Sequence, residues 1–392
     1  YTAGAVYAGV KSRKKEKPDV CILYSEMPAS CAALFTTNKF CAAPVLLDRE
    51  ILKKGKARAI VINSGNANAA TGQQGLRNAK LVEEEAEKLL GLGEDEVFVC
   101  STGVIGQQLP VDRVLDGVRR VVPILSRDKG SDAAWAIMTT DTVRKESAYE
   151  LELSGGTIRI GAMAKGSGMI HPNLATTLSF VTTDAKVESS VLQTMLKDAA
   201  DKSFNMTTVD GDTSTNDTCV VLANGLAGNE PVTAEGEDYD NFVAALTAIA
   251  EHMAALHASD GEGASHLITC QVSHAKDKAT ARAIAKSVVC SNLFKAAVFG
   301  RDANWGRILC AIGYTQGDFS VDRCCVWLES AAGSVYVCEN AAYHPYSEEE
   351  ASKVLAEHDI LVRDMGDGEA EGKAWGCDLT YDYVKINGDY RS

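Results

Sequence analysis

A chain of 392 residues, 46% hydrophobic and 23% charged, is long enough to bury one large core or two ordinary ones. Its 39 basic and 53 acidic side chains leave a formal charge of −14, a surface that repels phosphate backbones and anionic lipid, so nucleic acid and membrane are not expected partners. No apolar run reaches the length of a membrane span and nothing near Tyr1 resembles a secretory hydrophobic region; the missing initial Met is read as the trace of a removed leader or tag.

In chain order, the basic run Lys11–Lys17 reads as a solvated turn before a short buried strand at Val20–Tyr24. Ala59–Asn63 and Val97–Cys100 read as further strands. Between them Leu76, Ala79, Val82, Ala86 and Leu89 share one face of a helix over Gly75–Leu92. Gly155-Gly156 joins Tyr149–Ser154 to Thr157–Ile160 as a hairpin, and Leu178–Val181 follows as a strand. Helices are predicted over 185–203, Phe242–Ala258 and Ala279–Val289, interleaved with strands at Cys219–Leu222 and Leu267–Val272. No internal repeat, low-complexity segment or long linker interrupts the pattern, which is α/β or α+β with much sheet. The 12 cysteines are scattered, without C-x-x-C, and mostly in apolar strand contexts; they read as buried reduced thiols of an intracellular protein rather than as a disulfide scaffold or zinc site.

Few motifs advertise chemistry. Lys165-Gly-Ser-Gly168 lacks the order of a phosphate loop, and no helix follows it. Asp210-Gly-Asp212 with Asp217 lacks calcium-loop spacing and reads as a structured acidic turn. The seven histidines show no paired metal spacing, and His171 in its loop has no acidic partner to make it a general base, so a positional role is expected. No G-x-S-x-G elbow is present. There remains the stretch Lys165–Phe180, in which glycines, then Pro172-Asn173, lead to Ala175, Thr176 and a strand. If the Ala175–Thr176 bond were cut, the freed α-amine, with an ordinary pKa near 8, would lie within reach of the Thr176 hydroxyl as a built-in base. Glycine and Pro-Asn suit a strained, water-accessible bend before the bond, and Ala175 leaves room for attack. The plain alternative is a glycine-rich loop entering a strand, and the residues leave both open.

The segment resembles the self-cleavage motif of the glutamate N-acetyltransferase / ornithine acetyltransferase family of arginine biosynthesis. The likeness runs nearly end to end: Phe35-Thr-Thr-Asn38, Ala42-Ala-Pro-Val45, Asn63-Ser-Gly-Asn-Ala-Asn-Ala69, Ser101-Thr-Gly-Val-Ile-Gly106 and Met138-Thr-Thr-Asp-Thr142. Val209-Asp-Gly-Asp-Thr-Ser-Thr-Asn-Asp-Thr218, Asp260-Gly-Glu-Gly-Ala264, Gly300-Arg-Asp-Ala-Asn-Trp-Gly-Arg307 and Asp382-Tyr-Val-Lys-Ile-Asn387 complete it in order. Leu174, Ala303 and Gly388 stand where the family usually has Met, Pro and Ala, and none carries chemistry.

The resemblance implies a layered α/β sandwich of the ornithine acetyltransferase / self-processing aminopeptidase type, autocleaved into associated pieces 1–175 and 176–392. It implies Thr176 as nucleophile, Thr102 and Gly103 as oxyanion hole, and Thr142, Lys165, Thr176, Glu262, Asn387 and Ser392 as substrate contacts. The implied reaction is double displacement, moving acetyl from N-acetylornithine to glutamate without metal or organic cofactor. Acetyl-CoA as a second donor is left open. Family members are typically dimers of heterodimers, cytoplasmic in bacteria and mitochondrial or plastid in eukaryotes. Two rivals stand beside this reading: a self-processing aminopeptidase of the same fold, and a non-cleaving ligand-binding relative.

Overall fold

The computed structural model describes residues 1–11, 17–172, 177–365 and 368–389. Its first sheet is built from β1 (Thr2–Val6), β2 (Val20–Phe35), β3 (Lys56–Asn66), β4 (Val97–Val104), β5 (Lys145–Leu153), β6 (Gly156–Lys165), β7 (Leu178–Thr183) and β8 (Thr218–Ala223). The order across it is β4-β3-β2-β8-β7-β6-β5, with β1 added on β2. The expected strand at Val20–Tyr24 is only the first part of β2. Its register breaks between Tyr24 and Ala29, where Pro28 removes a ladder donor. The first stretch pairs with β1 and β3, the second with β8 and, through Ala29 and Ser30, still with β3.

Alternation along these strands separates two cores. Ile60 and Ile62 of β3 join Phe98 of β4 and Phe180 of β7 on one face, under α1 (Ala43–Leu52) and α4 (Gly130–Ile137). Ala59 and Val61 face the other way, onto α2 (Gly72–Leu90) and α3 (Val111–Val121). The predicted helix at Gly75–Leu92 is shifted at both ends: Gly91, at φ 67°, turns the chain left-handed and the Leu92 N–H closes on the Glu87 carbonyl at 2.8 Å.

The inner residues of β6, β7 and β8 share their core with α5 (Ser189–Lys202) and α6 (Glu237–Ser259). That core continues into a second sheet of β9 (Leu267–Ala275), β10 (Cys325–Ser330), β11 (Gly333–Glu339), β12 (Ala342–Tyr343), β13 (Asp359–Met365) and β14 (Ala370–Cys377), in the order β12-β11-β10-β13-β9-β14. Contrary to the sequence reading, α6 is long and apolar enough to cross a bilayer; here Phe242, Leu246, Ile249 and Met253 bury it in the core instead. Helix α7 (Lys278–Cys290) lies on Gly372 and Gly376 of β14, where added Cβ atoms would fall 2.6 Å from the Ala281 carbonyl carbon and 2.9 Å from Val289. Helices α8 (Asn292–Phe299), α9 (Trp305–Gly313), α10 (Glu348–Val354) and α11 (Tyr381–Asp389) complete the chain. Eight of the twelve cysteines are buried, as their apolar contexts predicted.

Candidate active site

The first sheet's ladders bring distant motifs together. Lys165, the last residue of β6, stands opposite Leu178, the first of β7, and Leu178 opposite Thr218, the first of β8. Thr177, just before β7, passes its carbonyl to the Thr218 N–H at 3.2 Å. The loop after Lys165 is packed tightly. A Cβ on Gly166 would meet the Thr177 methyl at 2.5 Å, and one on Gly168 would lie 2.3 Å from the Glu262 carboxyl carbon. Neither glycine has a positive φ; Met169 does, at 57°. Both glycines are therefore required for space, and the loop bends through Ser167, Gly168 and Met169 without a left-handed glycine.

Around this loop lies a cleft of about 140 Å³, room for an amino-acid-sized molecule. Thr102, Gly103, Lys165, Glu262 and Asn387 all line it, beside Thr139, Thr140, Ser214 and Asn216. Lys165 is nine-tenths buried, and its ammonium donates to the Thr102 hydroxyl at 3.3 Å. Burial pulls its pKa down, with the Asp141, Asp217 and Glu262 charges opposing that fall. The Asn387 amide donates to Glu262 at 2.8 Å, tying α11 to the cleft. A cation and a carboxylate thus face one small space, an arrangement that suits a ligand carrying both charges.

Gly103 sits in β4 at φ 133°, where its α-carbon nearly touches β3: a Cβ would fall 2.4 Å from the Gly65 carbonyl carbon. Thr142 is not among the cleft-lining residues. It is exposed, and both its N–H and its hydroxyl go to Asp260. Ala175, Thr176 and Ser392 lie outside the described residues.

His171 has its Nδ1 3.1 Å from the Thr208 hydroxyl and 3.8 Å from the Cys290 sulfur. Burial, with the Lys286 charge adding to it, lowers the imidazole pKa to about 4. It is neutral at pH 7, too weak a base for proton abstraction there. Asp210 accepts from the N–H groups of Met169 and Ile170 at 2.7 and 3.0 Å, so the acidic turn holds the glycine loop. Among the described residues no cluster could hold a metal ion.

Sequence reasoning missed a buried charge cluster behind the cleft. Lys145, fully buried at the start of β5, pairs with Asp141 at 2.7 Å and with Asp260. Burial would raise the Asp141 pKa, but Lys165 and Lys145 outweigh it and hold the carboxyl far below its usual range. The signal was present: both carboxylates sit inside motif blocks, Met138–Thr142 and Asp260–Ala264, whose substrate contacts alone had drawn attention. Asp217 is a different case. Its carboxyl is buried, with Oδ2 lacking a hydrogen-bond partner among the described residues, and burial pushes its pKa well up.

A layered α/β chain whose small cleft sets a buried lysine and a carboxylate beside Thr102 and Gly103 of β4 is an enzyme of the acyl-transferring class. The family model of the ArgJ family matches residues 2–392, and the chain belongs to that family. It is 50% identical to the arginine biosynthesis bifunctional protein ArgJ of Caldanaerobacter subterraneus subsp. tengcongensis, over 100% of this chain and 97% of that one. It is 49% identical, with the same coverage, to the protein of that name from Symbiobacterium thermophilum. Among solved structures, the arginine biosynthesis bifunctional protein argJ of Bacillus halodurans is 44% identical, covering 55% of this chain and 100% of its own length with a TM-score of 0.51.

Proposed function

We propose that the chain cuts its own backbone between Ala175 and Thr176, and that Thr176 then carries acetyl groups from N2-acetyl-L-ornithine to L-glutamate. The observation that supports this best is the cleft itself. Thr102, Gly103 and Lys165 come to it from one side of the proposed cut, Glu262 and Asn387 from the other, and Thr177 packs against its glycine loop. The Bacillus halodurans chain, over its complete length, covers 55% of this one, the share that residues 176–392 make up, which fits a protein that exists as two pieces.

In this mechanism the Thr176 oxygen attacks the acetyl carbonyl carbon while the Thr176 α-amine takes the hydroxyl proton. The oxyanion is held by the Thr102 hydroxyl and the Gly103 N–H, two neighbouring donors near the end of β4 that act best when fixed before the charge develops. Collapse breaks the C–N bond, and ornithine leaves with the proton. The glutamate amine then attacks the threonine ester and restores the hydroxyl. Lys165 grips the α-carboxylate that both amino acids carry, and Glu262 accepts from their α-nitrogen, an amide N–H in N-acetylornithine and an amine in glutamate. The same family likeness carries the assembly to two copies of each piece and leaves acetyl-CoA as a possible second donor, both open to direct measurement.

The test is intact mass under denaturing conditions, before and after brief exposure to N-acetylornithine without glutamate. Pieces ending at Ala175 and beginning at Thr176, the second gaining one acetyl group, are expected. Cleavage without acetylation would favour an aminopeptidase-type hydrolase, and one intact chain would defeat the mechanism.

A further inference from the structure

A fully buried lysine is costly, several kcal/mol after relaxation, and persists only where partners offset it. Lys145 has two, Asp141 and Asp260, and each carboxylate also holds backbone of the segments that flank the cleft. Asp141 accepts from the Gly166 N–H at 2.7 Å, next to Lys165, and from the Thr139 N–H at 3.0 Å. Asp260 accepts from the Thr142 N–H at 3.1 Å. The Asp260 carbonyl accepts from the Ser167 hydroxyl at 2.7 Å, and the Ser167 carbonyl accepts from the Glu262 N–H at 2.9 Å. Lys165, Thr142 and Glu262 therefore all hang, within three removes, on one ammonium that lines no part of the cleft.

From this convergence we propose that Lys145 is a positioning residue for the amino-acid substrates: it clamps Asp141 and Asp260 and so fixes where Lys165 and Glu262 stand in the cleft. The clamp spans the proposed cut, since Asp141 and Lys145 precede residue 175 and Asp260 follows it. A mere packing role does not need this wiring, because a buried pair can be exchanged for apolar residues of similar volume at little cost. The inference rests on the acetyl-transfer reading and refines it.

The experiment compares the wild-type full chain with Lys145→Met and with Lys145→Met/Asp260→Asn, the second of which leaves no unpaired Asp260 carboxylate. Self-cleavage, melting temperature, and KM and kcat for N-acetylornithine and glutamate are measured on each. Expected is a rise of about tenfold in both KM values together with a fall of about tenfold in kcat, so that kcat/KM falls by about 100-fold, with folded protein still cut. The double variant is expected to lose no more than the single one, because the partners act as one unit. Should Lys145→Met fail to fold, the double variant carries the same expectation. Unchanged KM values in the folded variants, or losses that follow only the fraction folded, would overturn the proposal. Absence of transfer in the wild type would instead defeat the acetyl-transfer reading, independently of any variant.

Discussion

Gly103→Ala is the substitution that tests the Thr102–Gly103 donor pair most directly. At φ 133° a side chain strains the backbone by about 1–3 kcal/mol. The added methyl would also lie 2.4 Å from the Gly65 carbonyl carbon and 2.6 Å from the Asn66 nitrogen, where ordinary contact begins near 3.4 Å. Both obstacles are backbone, so β3 and β4 must part by about 1 Å, at a further overpacking cost of about 1–3 kcal/mol. The shift moves the Gly103 N–H away from any oxyanion by the same distance. Losing one such donor lowers kcat by about 100- to 1,000-fold. Gly106→Ala is the control: its φ is 81°, but nothing lies within 4 Å of the new methyl, so it carries backbone strain without the clash. Acetyl transfer and thermal melting of the two variants separate the effects. Both should melt earlier, and only Gly103→Ala should lose transfer. A folded Gly103→Ala enzyme with wild-type kcat would show that this N–H stabilises nothing in the reaction.

Lys165→Met should lower kcat/KM by about 100-fold for both amino acids, since in the proposed mechanism one ammonium serves both carboxylates; a loss confined to one substrate would show that the lysine reads the side chain instead. His257 is fully buried, 3.2 Å from the Thr177 hydroxyl, and burial lowers its pKa to about 3. The unfolded chain takes up a proton near pH 6.5 that the folded one refuses, so stability is full above 6.5 and falls toward pH 3, by roughly 1.4 kcal/mol per unit. Denaturant melts at pH 7 and 4.5 should show this slope, and His257→Gln should flatten it; an unaltered slope would place the acid sensitivity elsewhere. Asp217 carries the opposite sign. Its pKa is raised in the folded state, so its contribution is most favourable in acid and worsens as pH rises past about 4. Asp217→Asn should therefore melt higher than wild type at pH 8 and converge with it in acid, whereas a lower melting point at pH 8 would mean the ionised carboxylate has a partner.

The legible parts of this chain were those with a short period. Leu178–Val181 and Cys219–Leu222 read as strands because their neighbours on both faces are apolar, and α6 read as a helix because Phe242, Leu246 and Met253 recur on one side. Strand β2 was read short because its later portion, from Met27 to Ser30, mixes exposed and buried residues around a proline. The C-terminal helix α11 was missed because none of its residues is buried, leaving no apolar stripe to count. At the site, the motif blocks named Lys165 and Glu262, but spacing could not tell buried charges from surface ones. That distinction arises from the β6–β7–β8 ladder, which is non-local. Lys145 was invisible for the same reason: its partner Asp260 lies 115 residues away.

The ladder also bears on how a cut chain would stay one enzyme. Strands β7 and β8 follow Ala175–Thr176, yet they lie between β6 and β2, which precede it. Each flank is sealed by a full run of backbone hydrogen bonds, six residue pairs between β6 and β7 and six between β8 and β2. Val181 and Val221 meanwhile pack inward with α5 and α6, and Phe180 and Val220 pack onto the opposite core with Ile60 of β3. Separating the pieces would expose two long sheet edges and divide both cores, so losing one peptide bond costs the fold little. What it would change is local. The proposed new α-amine would lie one residue before Thr177, whose side chain is held by His257 and Ser179 and whose carbonyl is held by Thr218. A nucleophile at 176 would therefore start from a strand end already fixed on two sides, and that preorganisation is what a transfer between two different amino acids requires.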